Sequence, residues 1–193
     1  MPVESHGTKG QNNELGRSLL QIARHAIADE FGIGHPADPT PEDFPELGRP
    51  GATFVTLTSE GNLRGCIGTL VAARPLIDDV RSNAFSAAFR DSRFAPLAPH
   101  EFEQVRVEVS LLSPSTRMSF QSETDFLRQL RPGEDGVILE YGAHRSTFLP
   151  QVWATLPQAR KFIEHLKLKA GLSADFWNES IRLSRYTVTK WQE

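Results

Sequence analysis

The sequence predicts an α+β fold, a mainly antiparallel sheet with flanking helices. Three observations point there: several short segments of period-two alternation, adjacent strands joined by turn residues rather than long crossovers, and four stretches whose apolar residues recur at helical spacing. At 193 residues, with 39% hydrophobic and 23% charged content, the chain can bury a core without staples.

Met1–Gln11 is polar and aperiodic, so residues 1–13 are expected to form a flexible arm and residues 14–193 one domain. From Glu14 to Phe31, Leu15, Leu19, Ile22, Ala23, Ala26 and Ile27 make an amphipathic helix, ended by Gly32 and Gly34. Five prolines between Pro36 and Pro50 then forbid a sustained helix or central strand and predict a long surface connection. Ala52–Thr58 alternates as a strand, Ser59-Glu60-Gly61-Asn62 turns the chain, and Leu63–Ala72 reads as the returning strand.

Pro75 suits a helix start, and Leu76, Ile77, Val80, Ala84, Ala87 and Ala88 give a small-faced stripe able to lie close on a sheet. Val105, Val107, Val109 and Leu111 alternate with polar residues in a half-buried strand. Ser122 caps a short helix reaching Arg131, and Gly136–Tyr141 and Arg145–Leu149 form a hairpin. A last helix runs from Pro157 to Gly171, and Ile181–Trp191 alternates as a final strand.

Composition narrows function. The net charge is −3, with basic residues scattered rather than clustered, which makes nucleic-acid binding a third-ranked reading. One cysteine forms no internal disulfide, and neither a secretory segment nor an 18-residue apolar run occurs, so a cytoplasmic protein outside the membrane is expected. Metal-ligand, nucleotide and Gly-x-Ser-x-Gly motifs are missing and the six histidines are dispersed, so no cofactor or metal is expected.

The most pointed stretch is Leu63-Arg64-Gly65-Cys66-Ile67-Gly68-Thr69. Two glycines thin the strand around a possible nucleophile, which permits a ligand or another backbone to approach closely. In a regular strand Arg64 shares a face with Cys66, where it could hold an anion and favour the thiolate. Cys66 can equally be a small buried hydrophobe, and the glycines a simple bulge. Asn83, Ala87 and Asp91 repeat every four residues, so Asn83 could contact a ligand, while Asp91 and Arg93 either join it or balance the helix end. Glu108 lies opposite the valines of its strand. If covered it needs Arg64 or Arg106 as partner, and it could carry a proton; otherwise it is solvated. The candidate catalytic residues are therefore Cys66 and Glu108, and the candidate substrate-binding residues Arg64, Gly65, Gly68, Asn83, Asp91 and Arg93.

These segments resemble a known family, the AMMECR-type domain, called AmmeMemoRadiSam system protein A in prokaryotes. Leu63-Arg64-Gly65-Cys66-Ile67-Gly68 resembles its signature, and Asn83-Ala84 through Asp91-x-Arg93-Phe94-x-Pro96-Leu97 its second block. Glu108-Val109-Ser110-Leu111-Leu112-Ser113 resembles the third. Gly133-x-Asp135-Gly136, Phe148-Leu149-Pro150-Gln151-Val152-Trp153 and Lys169-Ala170-Gly171-Leu172 extend the likeness over nearly the whole chain from Glu14. The resemblance implies two unequal lobes, the larger holding both termini and a smaller inserted lobe within about 44–100, with a cleft between them. It also implies association with a Memo-like protein and a radical S-adenosylmethionine protein. The leading expectation is an enzyme or enzyme subunit binding a small anionic molecule; a non-catalytic adaptor for protein partners is the alternative.

Overall fold

In a computed structural model, which describes residues 6–193, the chain is α+β with antiparallel sheets. It divides into two compact units: residues 1–112 with 189–193, and residues 113–188. The stretch 44–100 is not set apart, because its strands pair directly with residues 105–112 and belong to the same sheet. The five residues before His6, part of the expected flexible arm, lie outside the described residues.

In the first unit, helix α1 spans His6–Glu30. It starts earlier than the apolar periodicity, since extending a nucleated helix adds a hydrogen bond for each residue fixed, whereas starting one fixes several residues for a single bond. The proline-rich connection follows as expected, broken only by a 3-10 turn at Pro45–Gly48 and by strand β1 at Pro50–Gly51. Strands β2 (Thr53–Ser59) and β3 (Asn62–Gly68) form the expected hairpin, with Glu60 and Gly61 at positive φ in its turn. The two-residue strand β4 (Arg74–Pro75) pairs with β1 and leads into helix α2 (Leu76–Phe89). Strand β5 (Val105–Leu112) completes this run.

Strand β10 (Val188–Gln192) returns from the second unit, and the sheet order is β10-β5-β2-β3. Helices α1 and α2 cover one face. Val55 and Leu57 of β2 and Val105, Val107 and Val109 of β5 are buried together with Leu19, Ile22, Ile27, Val80 and Ala84 of the helices. Close packing explains two glycines here: a methyl at Gly16 would enter the Trp191 indole of β10, and one at Gly51 would meet Leu76.

The second unit has its own core around Phe126, Leu139, Phe162, Leu166 and Leu183. Its sheet order is β6-β9-β7-β8, from Thr116–Arg117 (β6), Gly136–Tyr141 (β7), His144–Phe148 (β8) and Arg182–Tyr186 (β9). Ser122 caps α3 (Glu123–Gln129) by accepting from the Asp125 N–H at 3.1 Å, and α4 (Ala159–Lys169) ends before Gly171 at φ +78°. Buried Lys167 donates to Glu123 at 2.5 Å, tying α4 to α3. The single alternating strand expected over 181–191 is two strands in different sheets, β9 and β10, which part at Thr187.

Candidate functional site around Cys66

All eight candidate residues lie in the first unit: Arg64, Gly65, Cys66 and Gly68 on edge strand β3, Asp91 and Arg93 just after α2, Asn83 on α2 and Glu108 on β5. The register departs from a regular ladder in one place. Leu57 pairs with Gly65 and Thr58 with Leu63, which leaves Arg64 without a partner, a β-bulge inside the glycine-flanked stretch. The bulge sends the neighbouring residues to different surroundings. Gly65 is buried against α2, where an added methyl would sit 3.0 Å from the carbonyl carbon of Ala87 and nearer still to its oxygen. Gly68 meets Phe54 and the Thr53 carbonyl oxygen in the same way. Both glycines are thus accounted for by packing within the unit.

Arg64 is paired with a carboxylate and not with the thiol. Its Nε and Nη2 donate to the two carboxylate oxygens of Glu101 at 2.8 and 2.9 Å, a bidentate pair, and its guanidinium lies 5.9 Å from the centre of the Phe94 ring. The remaining terminal nitrogen, Nη1, is buried with no hydrogen-bond partner among the described residues. The Arg64 guanidinium and the Ala98 N–H hold the Glu101 carboxyl at about 2, below its ordinary 4.5.

Cys66 is half-buried, and Thr56 on β2 donates its hydroxyl to Sγ at 3.3 Å. Its backbone points out of the sheet edge and is capped by the Asp91-Ser92-Arg93 corner after α2. The Cys66 N–H donates to Asp91 Oδ2 at 2.9 Å, and Arg93 Nη2 donates to the Cys66 carbonyl at 3.2 Å. Asp91 and Arg93 are themselves paired at 2.6 Å, and the Arg93 guanidinium, with the Cys66 and Arg93 N–H groups, holds the buried Asp91 carboxyl well below the usual carboxylate range. Two side chains thereby do the hydrogen bonding that a further strand would do. The Arg93 side chain remains 54% exposed, so its charge is available to solvent.

Glu108 does not meet Arg64 or Arg106. Its partner is Lys190 of β10, at 3.1 Å. In the register Cys66 faces Thr56 and Thr56 faces Glu108, so thiol, hydroxyl and carboxylate stand in one cross-strand row, with Lys190 bonded beyond the carboxylate. Cys66 and Glu108 are two strand spacings apart, roughly 9–10 Å along the backbone.

Asn83 sits elsewhere, inside a buried polar cluster at the start of α2. Its side-chain amide donates to the Thr53 carbonyl at 3.0 Å and to Asp79 Oδ2 at 3.0 Å. Asp79, 1% exposed, accepts from the Thr53 N–H and hydroxyl, the Thr69 hydroxyl and Arg74 Nε, all between 2.7 and 2.9 Å. The Asp79 carboxylate and the Asn83 amide nitrogen are bonded within the protein, so the cluster fastens α2 to the ends of β2 and β3. Sequence reasoning passed over Asp79, Glu101 and Thr56. An acid in the first turn of a helix reads as a dipole partner, Glu101 lies in an irregular stretch, and a threonine in a strand carries no signal by itself.

The comparisons agree over most of the chain. The family model AMMECR1 matches residues 20–191. A protein of Methanothermobacter thermautotrophicus is 39% identical over 187 residues, covering 94% of this chain and 96% of that protein. One from Methanococcus aeolicus is 35% identical over 172 residues, covering 85% and 83%. The crystal structure of the uncharacterized protein PH0010 from Pyrococcus horikoshii superposes with a TM-score of 0.77 at 32% identity, over 93% of this chain and 92% of that one. With the signature strand, its Asp-x-Arg clamp and the alternating fifth strand all inside the matched span, this chain belongs to the AMMECR1 family.

Proposed function

We propose that this protein is an enzyme or enzyme subunit that takes a small anionic molecule beside Cys66 and acts together with a Memo-like protein and a radical S-adenosylmethionine protein. The observation that carries the reading is the state of the thiol. It is half-buried rather than sealed, so a small molecule can reach it, and its sulfur accepts a hydroxyl hydrogen bond from Thr56 that fixes its position. Both arginines are paired, Arg64 with Glu101 and Arg93 with Asp91, but the Arg93 guanidinium is exposed at the sheet edge and is the one an anion can reach, while the more buried Arg64 acts as a positioning residue. Glu108 has no reach to the sulfur by itself and serves the site through its ion pair with Lys190.

The test is alkylation of the folded protein by iodoacetamide, read by intact mass, beside the urea-unfolded chain and Cys66→Ala. The reading expects folded Cys66 to react within about tenfold of the unfolded thiol, and Thr56→Val to slow it by roughly 2- to 10-fold, the worth of one hydrogen bond. Complete protection of the folded thiol, with Cys66→Ala fully functional in cells, overturns it.

A second reading, a docking protein without turnover, draws support from the packing roles of Gly65 and Gly68 and from the exposure of Leu63, Leu70 and Val71 along and just after β3. Copurification with the two partner proteins that survives Cys66→Ala but is lost on Leu70→Asp with Val71→Asp favours it.

A further inference from the structure

Helix α1 and the connection after it place two imidazoles face to face. The rings of His25 and His35 stack with centroids 3.8 Å apart and planes 21° from parallel. His25 Nδ1 contacts Asp38 Oδ1 at 2.6 Å, and the other Asp38 oxygen accepts from Arg81 Nη2 of α2 at 2.7 Å. His35 contacts acceptors on both sides: the Pro36 carbonyl lies 2.8 Å from Nδ1, and Asp29 Oδ1 of α1 lies 2.9 Å from Nε2. A neutral imidazole has one N–H and can donate to only one acceptor. Donating to both requires the imidazolium.

Two imidazoles and a carboxylate this close also suggest a metal site, with ligand atoms within 4.8 Å of one another. The geometry argues against it. Imidazole lone pairs lie in the ring plane, and planes stacked 21° from parallel do not send them to one nearby point. His35 has both nitrogens directed at acceptors, and a cation at Asp38 would sit beside the Arg81 guanidinium.

We propose that these residues form a proton-operated latch: protonated His35 fastens the connection Ile33–Thr40 to α1 by donating to Asp29 and to the Pro36 carbonyl at once, and neutral His35, left with one N–H for two acceptors and no charge to attract Asp29, loosens it. The charged and titratable groups around the imidazole pair are Asp29 from α1, Asp38 from the connection and Arg81 from α2. With both histidines neutral these five groups sum to one negative charge, so uptake of one proton neutralises the cluster. The Pro36 carbonyl first, and the Asp29 carboxylate second, raise the proton affinity of His35 above that of a free imidazole. The fastening is therefore complete below pH 6.5 and is lost as pH rises through the folded-state value. Asp38 keeps its own ties to His25 and Arg81, so release loosens one end of the connection while the other stays fixed.

The experiment is a pH series on the whole protein from 5.5 to 8.5, following the His35 ring protons by NMR and amide exchange of 33–40 by mass spectrometry, corrected for the intrinsic pH dependence of exchange. The wild type is expected to titrate His35 above 6.5 and to lose several-fold protection of 33–40 across that transition. His35→Phe, which keeps a ring on His25 but has no donor, should show low protection at every pH, and Asp29→Asn should move the His35 titration down. Protection that does not change with pH in the wild type, or a pH response that persists in His35→Phe, overturns the latch. Replacement of the pH response by stoichiometric binding of added Zn²⁺ also overturns it, in favour of a metal site.

Discussion

Gly65→Ala tests whether the signature glycine serves the packing of α2 on β3 or the approach of a ligand. The new methyl would lie 3.0 Å from the Ala87 carbonyl carbon and inside the contact distance of its oxygen, where ordinary contacts begin at 3.4 Å. The obstacle is backbone, so no side-chain rotation relieves it. Helix α2 must withdraw by about 1 Å, and overpacking of this kind costs typically 1–3 kcal/mol or more. Replacing a strand glycine returns roughly 0.5–1 kcal/mol of chain entropy, which leaves a net loss of about 1–2 kcal/mol. Amide exchange followed by mass spectrometry in peptides from β3 and α2 reads the loss locally: about 1–2 kcal/mol corresponds to roughly 5- to 30-fold faster exchange at amides that open only by unfolding of the unit. Gly34→Ala is the control, since a methyl there meets nothing within 4 Å and φ is not positive, so its change should stay within about 0.5 kcal/mol. If Gly65→Ala behaves like Gly34→Ala, the packing argument fails and the glycine is free to serve something outside the fold.

Two further substitutions probe the charged groups beside the thiol. Glu101→Gln should cost about 2–3 kcal/mol in urea unfolding at pH 7, because the carboxyl held at about 2 stabilises the fold fully above its ordinary 4.5. That difference from wild type should shrink as pH falls from 4.5 towards 2, and a gap independent of pH would show that charge is not its source. Asp79→Asn places an N–H₂ group among five donors at 1% exposure and should destabilise by about 3–5 kcal/mol; a loss under 1 kcal/mol in the same assay would show that the cluster does not hold α2.

The elements of this fold were largely legible because each is one face of a core. Valines at alternate positions place β5, and the alanine stripe places α2 close on its sheet. What stayed hidden depends on partners distant in sequence. Ile181–Trp191 keeps an apolar–polar rhythm broken only by the polar pairs Ser184-Arg185 and Thr189-Lys190, neither of them at Thr187, and alternation says which face is buried but not which sheet, so the division at Thr187 left no mark. The expectation that Arg64 and Cys66 work together rested on regular period two, and the bulge cancelled it by leaving Arg64 unpaired and turned to Glu101, 37 residues on. Glu108 was located on the correct strand, but its cation comes from β10, 82 residues away. Asp91 and Arg93 were recognised as a pair, and only the coordinates show that their joint task is to cap the edge at Cys66.

The return of the chain at Thr187 bears on the order of folding. Ser113 and Thr187 are joined by two hydrogen bonds, the Ser113 N–H donating to the Thr187 carbonyl at 2.9 Å and the Thr187 N–H donating to the side-chain Oγ of Ser113 at 3.0 Å, which clamps the two ends of the second unit together. Without that clamp, bringing β10 back to β5 would close a floppy loop of about 75 residues, at roughly 4 kcal/mol of entropy. Once residues 113–188 have condensed, the same encounter becomes local. On a ribosome residues 113–188 emerge before residue 189 does, so the first unit's sheet can acquire its last strand only after the whole second unit has been synthesised.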